Sequence, residues 1–186
     1  MSAIDWNMAW KDMMKNASMR ERRGGMDEFW DRMAKRYNES VKHTDRAERI
    51  IPKLNIDFNC TVLDIGSGPG TFAVPLAKMV KQVTAVEPSA EMLSCLKRNV
   101  QEANIKNITC INKKWEDVVP FDDLVKHDVV MASHSLDMLN IAEMISKMNL
   151  LASRSVYLFT FAGKSISDYD KLWPLLYGQE YRKAPD

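Results

Sequence analysis

Residues 61–70 read TVLDIGSGPG, from Thr61 to Gly70. The apolar run Val62-Leu63-Asp64-Ile65 meets the turn Gly66-Ser67-Gly68-Pro69-Gly70. Residues 71–78, TFAVPLAK, then space their apolar members on a helical period. The stretch predicts a buried strand, a glycine turn and a helix N-terminus in immediate succession. Glycines let the backbone turn sharply and let a ligand approach the main chain. A helix start offers unpaired N–H groups and the positive end of a dipole. A nucleotide-like ligand suits that combination.

A GxG turn is a weak signal alone, and its surroundings sharpen it. The spacing is GxGxG, and Thr71 stands where a dinucleotide fingerprint would carry its third glycine. That spacing, with no hydride-transfer constellation, disfavours a nicotinamide-dependent oxidoreductase. An acid, Asp64, lies at the end of the first strand, and a second, Glu87, closes the next apolar run, Val83 to Val86.

Outward from the turn, strands alternate with helices. Strands are expected at 61–65, 82–86, 108–111, 128–132 and 155–161. Helices are expected at 71–80, at 89–103 with Ser89 as N-cap, at 141–151 and at 166–177. A short helix or turn is expected near 117–124. Alternation of this kind predicts a doubly wound, mostly parallel, Rossmann-like α/β sheet, with ligands beyond the carboxyl ends of its strands. Residues 58–186 form this domain. Residues 1–57 are a helical preface: Ile4, Met8, Trp10, Met13, Met14 and Met19 recur at helical intervals before Gly24-Gly25. Phe29, Trp30, Met33 and Tyr37 share one side of a second helix, and Ala47, Ile50, Ile51 and Leu54 follow in a third that Pro52 interrupts. These apolar residues suit packing against the sheet, and part of the preface suits a lid.

The 186 residues are enough for one domain with a sizeable core. The formal net charge of +1 gives no global field that demands nucleic acid or an anionic membrane. Cys60, Cys95 and Cys110 form no CxxC pair and no metal-ligand cluster, so no metal is expected. Reduced thiols, no apolar run of membrane-spanning length and no signal-peptide core predict a cytoplasmic protein.

LDIGSGPGTF and AVEPSAEML together closely resemble the class I S-adenosylmethionine-dependent methyltransferases, and the resemblance runs from about Phe29 to about Ala162. Phe29-Trp30-Asp31 and Tyr37 resemble the FWD…A…Y preface of its small-molecule members, whose tyrosine lies over the cofactor. The family closes its sheet with two further strands, and no counterpart is expected before Asp186. Either the chain is truncated before those strands, or the preface, a partner chain or self-association covers the exposed sheet edge.

The resemblance implies S-adenosyl-L-methionine as cofactor. Its amino-acid tail and sulfonium would meet Gly66, Gly68, Gly70 and Asp64, with Ser67 and Thr71 donating to the carboxylate or Thr71 capping the helix. The ribose diol would meet Glu87. Pro88 and Met92 would flank ribose or adenine, or lie in the core. The adenine would meet Glu116, preferred over Asp117, while Trp115 stacks or packs. Ser133 is counted with the cofactor residues. His134, at the end of the fourth strand, is the candidate general base, against a positioning role; His43 and His127 are expected in solvent. The segment lacks the Asn/Asp-Pro-Pro-Tyr/Phe sequence of base- and glutamine-modifying members. The implied reaction is in-line methyl transfer to a small molecule, with a protein side chain as the other acceptor class. Nucleic acid and membrane are not expected partners. The competing function is a non-catalytic cofactor-binding subunit that needs a partner to complete its acceptor site.

Overall fold

The computed structural model describes residues 4–16, 26–160 and 174–180. Three helical pieces precede the sheet: α1 (Trp6–Asn16), α2 (Met26–Val41) and α3 (Arg46–Ile50), the last continued by a 3-10 turn, Ile51–Lys53, that contains Pro52. The core then alternates: β1 (Thr61–Ile65), α4 (Ala73–Ala77), β2 (Gln82–Val86), α5 (Ala90–Glu102), β3 (Ile108–Ile111), β4 (His127–Ser133), α6 (Ile141–Leu151) and β5 (Ala152–Phe159). All pairings are parallel, in the order β3-β2-β1-β4-β5. The order reverses between β1 and β4, which opens a crevice at their carboxyl ends.

Strand periodicity divides the core into two layers. Val62 of β1 and Val129 and Met131 of β4 point to one face, where Leu76 of α4 and Leu93 and Leu96 of α5 cover them. Leu63, Ile65, Val130 and Ala132 point to the other, under Met144, Met148 and Leu151 of α6. Strands buried on both faces explain the continuous apolar runs.

Boundaries differ from the sequence expectations in three places. The helix expected at 71–80 is regular only over Ala73–Ala77: Pro75 has no N–H for the Thr71 carbonyl, and past Ala77 the bonds tighten to three-residue spacing, from Lys78 to Pro75 and from Met79 to Leu76. The region 117–124 holds a 3-10 turn at Trp115–Asp117 and an isolated bridge between Pro120 and Leu124 rather than a longer helix. The fifth strand begins at Ala152, directly at the end of α6, and Phe161 lies outside the described residues. Of the helix expected at 166–177, only the turn at 174–177 is described. Among the described residues no further strand follows β5, and no helix is long and apolar enough to cross a membrane.

The preface packs less of its apolar surface than its spacing suggests. Met14 is buried, whereas Ile4, Trp6, Met8 and Met13 are exposed; Met19 lies outside the described residues. The second helix is anchored through polar atoms as well. Asp31 Oδ1 accepts from the Ser89 hydroxyl at 2.6 Å and from the Glu91 N–H at 3.1 Å, capping α5 from outside alongside its own N-cap, Ser89. Ala34, fully buried, lets α2 approach Met92 and Cys95 of α5. Asn99 donates to Asn38 Oδ1 and to the Pro69 carbonyl, both at 2.8 Å, tying α2, α5 and the glycine turn together. Asp31→Ala is expected to lower the unfolding free energy by about 1–2 kcal/mol, whereas Asp31→Asn keeps most of it; urea denaturation of the three proteins checks this.

Candidate functional site

Each glycine of the turn meets a different constraint. A Cβ on Gly66 would stand 2.3 Å from Ser135 Cβ, and one on Gly70 would stand 2.4 Å from Leu96 Cδ1 and 2.9 Å from Val74 Cγ2. Both positions also have φ in the left-handed region, +67° and +92°. Their lack of a side chain serves close packing. At Gly68 the nearest atom to a Cβ is Tyr37 Cε1 at 3.9 Å, and its N–H donates to Glu87 Oε2 at 2.8 Å. The other Glu87 oxygen accepts from the Ser89 N–H at 2.9 Å. Two backbone donors thus hold a buried carboxylate where β1, β2 and α5 converge.

A cavity of about 360 Å3 opens beside this carboxylate, at the β1/β4 switch point. Gly66, Ser67, Gly68 and Thr71 form one side, and Glu87 and Pro88 the next. Met92 reaches it from α5 and Tyr37 from α2, with Tyr37 set edge-on against Trp30 at 5.4 Å between ring centroids. Trp115 and Glu116 close a third side. Trp115 is buried and its indole N–H donates to the Met144 carbonyl at 3.2 Å, so its ring belongs to the core as much as to the wall. Lys147 donates to the carbonyls of Trp115, Glu116 and Val118 at 2.9, 2.7 and 3.2 Å, which fixes the turn that presents Glu116. Asp117 is not in the wall.

Ser133 and His134 supply the β4 side. His134 has φ +56°, a strained conformation for a non-glycine residue. Its N–H donates to the Phe159 carbonyl at 2.8 Å, and its Nδ1 lies 3.1 Å from Ser133 Oγ. Burial, and next the Arg46 charge, hold its imidazole below the ordinary pKa of 6.5, so it is neutral at neutral pH. His43 is exposed, whereas the expectation of a solvated His127 is corrected: that ring is buried, with Nε2 2.8 Å from Thr84 Oγ1 and Nδ1 2.9 Å from the Val125 carbonyl.

Two expected cofactor residues are not in the wall. Gly70 faces α5, and Asp64 lies beneath the turn, 2% exposed. Burial, then the Glu87 charge, push the Asp64 carboxyl up to about 7 against a lowering hydrogen bond from Ala73. Among the described residues its Oδ2, Ser67 Oγ and Thr71 Oγ1 are buried without a hydrogen-bond partner, so Thr71 does not cap α4. Sequence reasoning missed Arg46, Lys114, Asp137 and Met138, all in the wall. Lys114 and Asp137 adjoin motifs already singled out; Arg46 sits in the preface, where no local pattern distinguishes it from its neighbour Arg49. Arg46 pairs with no described carboxylate, whereas Arg49 pairs with Asp45.

The family model described as methyltransferase domain matches residues 62–152, from the first strand to the start of the fifth. This stretch is a methyltransferase domain. An uncharacterized protein of Haemophilus influenzae is 34% identical over 141 residues, covering 75% of this chain and 52% of its own length. A probable cobalt-precorrin-6B C(15)-methyltransferase (decarboxylating) of Methanocaldococcus jannaschii is 28% identical over 122 residues, 64% of each chain. The chain therefore spans between half and two thirds of the length of these curated relatives. In fold, the methyltransferase domain is similar to the DhpI-SAM-HEP complex, with TM-score 0.60 and 18% identity over 79% of this chain and 67% of that one.

The methyltransferase domain carries a stability cost at Asp64 with a definite pH dependence. Below about pH 3.8 the carboxyl is neutral folded and unfolded. Between 3.8 and about 7 the unfolded chain loses the proton and the folded one keeps it, so stability falls as pH rises and levels off above 7. The full span is on the order of 4 kcal/mol. Asp64→Asn removes this titration, and its stability relative to the parent is expected to improve by about 2–3 kcal/mol between pH 5 and pH 8 in urea unfolding.

Proposed function

We propose that this chain transfers a methyl group from S-adenosyl-L-methionine to a small-molecule acceptor. The observation that carries the reading is the convergence, at the β1/β4 switch point, of a backbone-held acid, an acid-bearing turn and unsatisfied buried polar atoms around one cavity. The methyltransferase domain matched over residues 62–152 and the methyltransferases among its relatives support the same reading.

The residues present fit such a cofactor. Glu87, whose carboxylate lines the cavity at the end of β2, would hold a ribose diol. Glu116 would accept from an exocyclic amine, with Met92 and Pro88 against the nucleoside. The Ser67 and Thr71 hydroxyls have no partner among the described residues and would meet the amino-acid tail. Arg46, in the same wall, complements the tail carboxylate, and Asp64 would balance the tail ammonium through the turn. Tyr37, against Gly68, would cover the sulfonium end.

When bound, the cofactor supplies an electrophilic methyl group for in-line displacement by the acceptor. The chain's own task is alignment and exclusion of water. His134, neutral and in the β4 wall, is placed to take the proton that an attacking hydroxyl or amine gives up. The acceptor enters on the side of His134, Asp137 and Met138.

Two outcomes test the reading. Glu87→Gln is expected to weaken S-adenosylmethionine binding by about 10-fold to 100-fold in calorimetric titration, consistent with loss of hydrogen bonds to a charged group. Cofactor affinity equal to the parent's would remove Glu87 from the ribose. Incubation with methyl-labelled cofactor and a cell extract should label a low-molecular-weight fraction; label confined to nucleic acid would overturn the small-molecule assignment. In that assay His134→Ala is expected to lower the rate by about 100-fold with cofactor affinity little changed.

A further inference from the structure

No residue of the first helix lines the cavity, yet the helix holds a residue that does. Asn140 precedes α6 without capping it; its amide donates to Glu143 at 2.7 Å instead. The cap comes from α1. Asn7 Oδ1 accepts from the Ala142 N–H at 3.1 Å, across 135 residues of chain, and Asn7 Nδ2 donates to Asn140 Oδ1 at 3.0 Å. Three residues on, the Trp10 indole N–H donates to the Met138 carbonyl at 2.8 Å. The first N–H groups of a helix need acceptors from outside it. Asn7 therefore sets where α6 starts, and Trp10 sets the backbone of the loop before it.

Residues 138–142 are gripped at both ends by these contacts, and Asp137 and Met138 lie in the wall on the His134 side. The groups assigned to the nucleoside come from the end of β2, α5 and the Trp115 turn, whereas Arg46, assigned to the tail carboxylate, is near enough for its charge to act on His134. A cavity of about 360 Å3 is at the low end of the volumes that enclose one drug-sized ligand. The position of its acceptor wall therefore matters to a transfer that must bring a second molecule into line.

We propose that Asn7 and Trp10 are positioning residues for the acceptor half of the site: from α1 they fix the 138–142 segment and with it Asp137 and Met138. This rests on the methyltransferase reading, since it divides that site into cofactor and acceptor halves. Neither side chain touches a reacting group. Their effect passes through the backbone of the β4–α6 connection.

The test compares the parent with Asn7→Ala, Trp10→Phe, the double variant and Asn7→Asp, which keeps an acceptor for the Ala142 N–H. Three quantities are measured: S-adenosylmethionine affinity by calorimetry, amide hydrogen exchange over 136–142, and labelled-methyl transfer to extract at saturating cofactor. In the double variant, cofactor affinity should stay within about twofold, exchange over 136–142 should quicken, and transfer should fall about 10-fold to 100-fold. Asn7→Asp should restore most of both. Unchanged exchange over 136–142 overturns the proposal, even if no acceptor is labelled. Cofactor affinity falling in step with transfer also overturns it, because α1 would then serve the scaffold as a whole. A parent that binds no S-adenosylmethionine would instead sink the methyltransferase reading.

Discussion

The Glu87 carboxylate is the constraint on which the site depends. It is buried, and one oxygen receives the Gly68 N–H while the other receives the Ser89 N–H. The first bond holds the glycine turn after β1 against the end of β2; the second holds the start of α5. Hydrogen bonds to an ionised acceptor are among the stronger ones in proteins, and a buried acceptor without them would be costly. The side chain that organises the turn also lines the cavity. Asn112, the residue after β3, reinforces this corner by donating to the carbonyls of Glu87 and Pro88 at 2.9 and 2.8 Å.

Around this corner the protein spends polar contacts on fixing loops. Asp31 caps α5 from the preface, Asn99 holds the glycine turn to α2, Lys147 holds the Trp115 turn, and Asn7 caps α6. Each joins segments far apart in sequence. Together they make the cavity wall a product of the preface and both helical layers, although the sheet supplies its floor. The Asp64 carboxyl is the counter-example: buried beneath the turn near a second acid, it costs stability and is retained beside two unsatisfied hydroxyls. Such a local violation is expected where a site is built for a guest.

Much of this was legible from residues. Val62 to Ile65 and Val83 to Val86 could be assigned as strands because both faces are buried and both are apolar, and Ser89 could be assigned as an N-cap because its hydroxyl answers a local need. The wall residues adjacent to those motifs followed from the fold's switch point. Arg46 and Met138 were not legible, since neither sits in a local pattern that requires it. His127 was misjudged for a similar reason: its partner Thr84 is 43 residues away on another strand. The preface was judged too apolar in role, because period alone cannot distinguish a stripe that packs from one that stays in solvent, as Trp6 and Met13 do.

What the sequence by itself determined is the alternation of strand and helix, the glycine turn and the placing of Glu87 at a strand end. These follow from hydrophobic period, backbone freedom and burial, which act over a few residues. Tertiary structure alone decided what each glycine is for. Gly66 and Gly70 leave room for Ser135 and Leu96, side chains from elsewhere in the chain, whereas Gly68 presents its N–H to an acid on the next strand. It also decided that Asp64 lies under the turn rather than in the wall, and that Arg46 belongs to the site. Such facts depend on contacts between distant segments, and only the packed chain brings those segments together.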